Sequence, residues 1–294
     1  MGTPPRLGEH RLLDEIGRGG TAVVHLAIDA SGREVVVKRL RPEIAADPAA
    51  RRRLAREMAA MGRVRSPYVA RLLGGRVDAD PPYVVMSYVP GYPLSELVES
   101  YGPPRRDRLR RLARGLALAV AAVHDAGVLH RDVTPGNVMV HGDRPTLIDF
   151  GIAHDADAWQ TTRPGMVVGT PAYLAPELIE GGPATPASDV FAWAATVAFA
   201  ATGRPPFGRG SLQAVCLRIV SGRADLEGCR SPWPGCCGWG WTATPGGARP
   251  RGGSPGRWRR RRWAWPGPPP TSRHEGVSWT GAPSGGSCRR HGRR

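Results

Sequence analysis

Two hydrophobic periods run through this chain. Branched apolar residues fill positions 22–28 and 34–40, with Ser31-Gly32 between them, a pattern that predicts two strands joined at a hairpin turn. From Asp47 the period changes. Leu54, Met58 and Met61 recur at helical spacing, Asp47 suits an N-cap, and Pro48 suits the first helical position. Glu57 falls on the same side as these apolar residues, so its carboxylate needs a partner there. Residues 83–86 read as a further buried strand. Residues 107–126 carry Leu109, Leu112, Leu116, Val120 and Val123 at helical spacing and stop before Gly127, which predicts a long helix closed by a C′ glycine. Residues 189–201 read as a buried helix and 211–220 as a more amphipathic one.

This order stops after Gly228. Residues 229–294 contain no Leu, Ile, Met, Phe or Tyr and one Val, yet they hold seven of the nine Trp. The formal net charge is +16, and thirteen Arg against the single acid Glu275 place +12 of it in this stretch. Such a segment cannot bury enough apolar surface to offset chain entropy, so a disordered Arg/Gly/Pro/Trp-rich tail is expected. Of the five cysteines only Cys216 precedes residue 229; with no C-x-x-C pair, zinc is not expected, and the odd number reads as free thiols. A second explanation fits the composition. Arg, Gly, Pro, Trp, Cys and Ala are what GC-rich DNA encodes out of frame. Back-translated with GC-rich codons and read from the third base, residues 236–245 can spell Leu-Leu-Arg-Val-Gly-Leu-Asp-Arg-Asp-Pro, the start of an ordinary helix and turn.

No run reaches the roughly 18 continuous apolar residues of a membrane helix. The N-terminus has no apolar signal region. A cytoplasmic chain without a membrane partner is therefore expected.

Chemistry enters with the single lysine. Of the 41 Lys and Arg residues, one is Lys, at the end of Val35-Val36-Val37-Lys38. A compact ammonium on a flexible stem suits a tight phosphate-gripping cleft where the planar Arg fork does not. Upstream lies Ile16-Gly17-Arg18-Gly19-Gly20-Thr21-Ala22-Val23-Val24, whose glycines let backbone N–H groups approach a phosphate. Downstream come His130-Arg131-Asp132, Asn137, Asp149-Phe150-Gly151 and Ala175-Pro176-Glu177. In this order and spacing the set resembles the protein kinase family, and within it the bacterial Ser/Thr kinases of eukaryotic type, from about Gly8 to about Gly228.

The resemblance implies an α+β, two-lobed protein kinase fold. It puts a β-rich N-lobe at 1–89, a helical C-lobe at 90–228 with its end missing or replaced, and the tail at 229–294. It implies ATP and Mg²⁺ as cofactors and proteins bearing Ser or Thr as substrates. Lys38 would hold the α- and β-phosphates, fixed by Glu57, with Gly17, Gly19 and Gly20 over the phosphates. Ile16, Val24, Val36, Met86, Ser87, Val89 and Met139 would complete the nucleotide site, the backbone after Met86 meeting adenine. Asp149 and Asn137 would bind metal. Asp132 would accept the substrate hydroxyl proton, with Thr170 in the same catalytic set. Arg131 would pair with an activation-loop phosphate on Thr161 or Thr162. Three positions depart from the family: Ala22 for the third loop glycine, Val36 for the usual Ala, and Thr134 for the usual Lys.

Two other readings stand beside this one. Thr134 and the tail favour a catalytically impaired kinase-fold scaffold or a frameshifted gene product. Arg259, Arg260, Arg261 and Arg262 with Trp258, Trp263 and Trp265 suggest a nucleic-acid-binding arm. That reading is the least favoured of the three, and nucleic acid is not an expected partner.

In the family, the Glu of Ala-Pro-Glu pairs with an Arg near the end of the large lobe. Glu177 occupies that position, and no Leu-rich helix precedes any Arg after residue 228. Losing one partner of a buried pair costs roughly 3–5 kcal/mol. Restoring the alternative frame after Gly228 should therefore raise melting temperature and activity together. A cooperative, high-temperature transition of the unaltered chain, with residues 229–294 resistant to protease, would contradict the frameshift reading.

Overall fold

The structure, a computed structural model, describes residues 5–19, 22–41, 47–150 and 171–229. Six antiparallel strands form the first sheet: β1 (Arg6–Leu7), β2 (His10–Arg18), β3 (Ala22–Ile28), β4 (Glu34–Leu40), β5 (Leu72–Arg76) and β6 (Tyr83–Ser87). Their spatial order is β1-β2-β3-β4-β6-β5. The expected hairpin pairs Ala22 with Leu40 through to Ile28 with Glu34, and Gly32 supplies the φ of +81° that the turn requires. Period-two alternation gives the sheet two faces. Val35 and Val37 pack with Leu12, Ala27, Tyr83 and Val85 in a core confined to this lobe. Val36, Lys38 and Met86 face the other way, into a cleft.

Helix α1 (Pro48–Met61) follows its sequence signals: the Asp47 side chain accepts from Ala49 N at 2.8 Å, Pro48 opens the helix, and Leu54 and Met61 are buried. The second lobe contains α2 (Leu94–Tyr101), α3 (Arg106–Asp125), α4 (Pro176–Ile179), α5 (Pro186–Thr202) and α6 (Leu212–Val220). A three-stranded sheet, β7 (Tyr92–Pro93), β8 (Val138–His141) and β9 (Arg144–Leu147), lies against α3. Gly127 follows α3 at φ +75°, as its C′ position demands.

The helix expected at 189–201 begins three residues earlier. A reciprocal cap causes this: Thr185 Oγ1 accepts from Ser188 N at 3.4 Å, and Ser188 Oγ accepts from Thr185 N at 3.1 Å, just before Pro186. Helix α5 is apolar on nearly every side, and Phe191, Ala195, Thr196, Phe199 and Ala200 are all buried. Its neighbour α3 contributes Leu109, Leu112, Leu116, Ala119, Val120 and Val123 to the same core. That core continues through Leu54, Met61, Val84 and Met86 of the first lobe, so apolar packing joins the two lobes.

At the far end of the second lobe the apolar surface is less well covered. Leu217 on α6 is 68% exposed, and Val220 and Val190 are also exposed. Glu177 is half-buried, and its Oε1 accepts from Ser188 Oγ at 2.6 Å. The tail read from the sequence lies, from residue 230 onward, outside the described residues. No helix among the described residues is long and apolar enough to cross a membrane.

Leu116 is fully buried at the centre of α3. Leu116→Ala should destabilise the fold by about 2–5 kcal/mol, measured by urea unfolding. A loss below about 1 kcal/mol would show that this core can collapse around the deletion.

Candidate functional site

The cleft between the lobes encloses a cavity of about 310 Å³. Two layers of the chain close on it. From above come Ile16, Gly17, Val24, Val36 and Lys38; from below come Met139, Ile148 and Asp149. Met86, Ser87, Tyr88 and Val89 form its back, where β6 runs out into the connection between lobes. Every nucleotide-site residue expected from the sequence and described here lines this cavity except Gly19. Gly19 is exposed, and its N–H donates to Ala22 O at 2.9 Å across the β2–β3 turn. Ala70 and Ile148 also line the cavity and were not foreseen. Their signal is tertiary: Val69 bridges to Leu147 and Ala70 N donates to Leu147 O at 2.9 Å, which places both beside the cleft. Gly20, Gly151, Thr161, Thr162 and Thr170 lie outside the described residues.

Asp132, Asn137 and Asp149 converge at the lower lip. Asn137 Nδ2 donates to Asp132 Oδ2 at 2.6 Å and to Asp132 O at 3.0 Å. The short 3₁₀ turn Pro135–Asn137 sets this up, with Asn137 N donating to Thr134 O at 3.0 Å. Ile148 N donates to Asn137 O at 2.8 Å, which brings Asp149 beside Asn137. Asp149 has φ +57° and Arg131 has φ +67°; these are the non-glycine residues in the left-handed region among those described. Such conformations cost about 1–3 kcal/mol each and persist where surrounding bonds over-determine them.

The ion pairs differ from expectation. Lys38 was expected to pair with Glu57. Instead Lys38 Nζ binds Asp149 Oδ1, and Glu57 Oε1 accepts from Arg131 Nη1 at 2.7 Å. The reason is burial and reach. Glu57 sits on the half-buried face of α1, and burial pushes its carboxyl above the ordinary range, against the opposing pull of Arg131, Arg53 and Arg56. The Arg131 guanidinium is within reach of that carboxylate and takes it. Lys38 then finds its counter-ion across the cleft. Glu57 Oε2 and Arg131 Nε are buried without a hydrogen-bond partner among the described residues.

Beneath these residues lies a layer that the sequence did not announce. His130 is fully buried, and burial pushes its imidazole below the ordinary value. Its Nδ1 accepts from Asp132 N at 3.3 Å, so Nε2 carries the proton and donates to Ile148 O at 3.2 Å. Its ring packs on Phe150 at 4.9 Å. Asp189 of α5 accepts from His130 N and Arg131 N, each at 2.8 Å, and stands 2.8 Å from His124 Nε2. Thr196, two turns along the same face of α5, donates to Val133 O at 2.8 Å. Sequence periodicity made Asp189 the start of a buried helix and assigned it no role; a carboxylate opening so apolar a helix was the available signal.

Metal fit can be judged from the donors. Asp149 and Asn137 carry side-chain oxygen atoms, the ligand type of a hard divalent cation, and the Ile148 N–H to Asn137 O bond ties the two segments together. No group of three or more His, Cys, Asp or Glu able to hold a metal occurs among the described residues. Two side chains sharing an ion with phosphate oxygens is the usual arrangement in phosphate-transfer sites.

A family model for the protein kinase domain matches residues 10–225. The chain is 43% identical over 225 residues to the probable serine/threonine-protein kinase PkwA of Thermomonospora curvata, covering 76% of this chain and 30% of that protein. It is 42% identical over 231 residues to the serine/threonine-protein kinase AfsK of Streptomyces coelicolor, covering 76% and 28%. The chain thus spans less than a third of the length of these relatives. The crystal structure of Rad53 1-466 in complex with AMP-PNP matches with a TM-score of 0.62 at 24% identity, over 74% of this chain and 54% of that one, and shows the same fold. With a nucleotide-sized cleft, the Lys38, Asp132, Asn137 and Asp149 constellation and a family match from His10 to Asp225, the chain belongs to the protein kinase family.

Proposed function

We propose that this chain transfers the γ-phosphoryl group of ATP to Ser or Thr hydroxyls of proteins, with Mg²⁺ as the divalent metal. The observation that carries this reading is that Lys38 and Asp149 line one largely apolar cavity, while Asn137, whose carbonyl accepts from Ile148 N next to Asp149, holds Asp132 at 2.6 Å. The names of the bacterial relatives support the same activity.

Each residue has a physical task in that reaction. Val24, Val36, Met139 and Ile148 give an apolar slot above and below a flat base, and the backbone of Ser87 and Val89 gives it polar partners. Lys38 is the one cation lining the cavity among the described residues. It would attract the α- and β-phosphates and leave Asp149 free to act as a metal ligand with Asn137. The metal would neutralise charge developing on the phosphoryl oxygens. Asp132, oriented by Asn137, would accept the hydroxyl proton as the acceptor substrate is held in line. Thr134 supplies no charge beside Asp132, so stabilisation of the moving phosphoryl group falls to Lys38 and the metal.

Lys38→Met and Asp149→Asn should each reduce phosphate transfer by about 10²–10³ while the chain remains folded. Labelled ATP, Mg²⁺ and a generic basic protein provide the assay, with circular dichroism to follow folding. Wild-type rates in both variants would overturn the site assignment.

Control by an activation-loop phosphate fits Arg131, which lies next to Asp132 and holds Glu57 at 2.7 Å. A phosphate between Asp149 and Glu177 would compete for that guanidinium and release Glu57 toward Lys38. Mass spectrometry after incubation with ATP should find phosphate on Thr161, Thr162 or Thr170, first on Thr162. Phosphate confined to residues 229–294 would contradict this control.

A further inference from the structure

A second cavity lies on the far side of the small lobe's sheet. It measures about 530 Å³, against about 310 Å³ for the cleft between the lobes. Strand β4 separates the two: Val36 and Lys38 line the cleft, and Val35 lines the second cavity. Val35 and Val85 give it an apolar floor. The turn at 8–10, the turn at 29–33 and the edge strand β5 stand around that floor.

The space exists because β5 puts no side chain over Val85. Its centre is Gly74-Gly75, and glycine inside a strand marks a bulge or a close approach of backbone or ligand. Gly75 is explained by packing. It has φ +154°, and a Cβ there would stand 2.5 Å from Tyr83 O and 2.6 Å from Met58 Cε. Gly74 has no such reason. The register slips beside it, but its φ lies outside the left-handed region, and a Cβ built on it would meet nothing within 4 Å. Gly74 opposes Val85 in the antiparallel pair, and opposed residues share a face. A side chain at 74 would therefore project into the cavity.

The walls carry polar groups that the fold leaves unused. His10 is 8% exposed, its ring stands edge-on to Tyr83 at 6.0 Å, and its Nδ1 is buried without a hydrogen-bond partner among the described residues. A buried orphan of this kind calls for a partner. Arg33 and Arg76 come from two different elements. Each holds its own carboxylate through Nε and Nη2, Asp29 at 2.8 Å and Asp78 at 3.0 Å, and keeps Nη1 unpartnered among the described residues. Asp29 is fully engaged, since it also accepts from Ser31 N, Ser31 Oγ and Arg33 N. The Glu9 carboxylate, on the same cavity, has neither hydrogen bond nor ion pair among the described residues.

We propose that this cavity is a binding site for a small zwitterion with an apolar body, an aromatic α-amino acid. Its carboxylate meets the spare Nη1 groups of Arg33 and Arg76, and its ammonium meets Glu9. Its ring lies on Val35 and Val85 beside the edge-on pair of His10 and Tyr83. Both signs are needed: a simple anion leaves Glu9 unpaired beside it, and a simple cation faces two guanidiniums. The site shares no lining residue with the cleft, so the proposal does not rest on phosphate transfer.

Equilibrium dialysis of the full chain against labelled L-phenylalanine, with and without excess ADP and Mg²⁺, tests this. One saturable site is expected, unaffected by ADP. Gly74→Leu fills the space over Val85 and should weaken binding at least about tenfold while the chain stays folded by circular dichroism. Glu9→Gln should weaken it about tenfold, and so should the loss of either ligand charge, in L-phenylalaninamide or 3-phenylpropionate. No saturable binding, binding displaced by ADP, or unchanged binding in Gly74→Leu overturns the proposal. Equal binding of either analogue overturns it too, because the site then reads one charge and not both. If Gly74→Leu does not fold, Glu9→Gln and the analogues decide on the same terms. A wild-type chain that binds no phenylalanine and forms a dimer lost in Gly74→Leu assigns the face to self-association and overturns the proposal.

Discussion

A buried carboxylate governs the working parts of this protein. Asp189 ends up 2% exposed because the helix it opens is apolar on nearly every side and must go inside. Once there, its charge has to be satisfied, and the loop at His130–Arg131 supplies backbone donors. A charge left unsatisfied at such depth would cost several kcal/mol, so the loop backbone bends into a left-handed conformation at Arg131 to reach it. That bend sends the Arg131 side chain upward to Glu57 and sets Asp132 beside Asn137. Helix packing, loop strain and site geometry thus form one causal chain that starts in the hydrophobic core.

The cleft is built by the same economy of faces. Strand β4 presents Val35 and Val37 to one core and Val36 and Lys38 to the cavity. An ammonium tethered to a rigid sheet, opposite a carboxylate at the end of β9, gives a polar end to an otherwise greasy slot. The pairing of Lys38 with Asp149 and of Glu57 with Arg131 distributes two positive and two negative groups so that each carboxylate has one cation. Glu57 keeps an unpartnered Oε2 and Arg131 an unpartnered Nε among the described residues. A phosphate with several acceptor oxygens is the kind of group that could displace such a half-satisfied pair.

Apolar packing also ties the small lobe to the large one. Leu54 and Met61 of α1 and Val84 and Met86 of β6 belong to the same buried cluster as the centres of α3 and α5. Movement of α1 therefore shifts Glu57 and repacks the wall behind the cavity together. At the opposite end, Leu217, Val220 and Val190 stand exposed, and among the described residues Glu177 has the Ser188 hydroxyl as its hydrogen-bond partner. The sequence lost its helical period just beyond this surface.

Local chemistry was legible in the chain. Asp47-Pro48 marked the start of α1, Gly127 the end of α3, and alternation through 34–40 separated core from cleft, because caps, left-handed glycines and strand pleats depend on neighbours a few residues away. The ordered motifs likewise pointed to Lys38, Asp132, Asn137 and Asp149. Short elements were not legible: β5 carries Gly74-Gly75 and takes its register from β6, and α2 has eight residues with Pro93 at its cap. Nor was the choice of ionic partner. Lys38 lies 19 residues from Glu57 and 111 from Asp149, and nothing in the order of residues tells which carboxylate comes within reach. The link from His124 through Asp189 to His130 and Arg131 is of the same kind. Such partners are decided when helices pack and burial forces each charge to take the nearest counterpart.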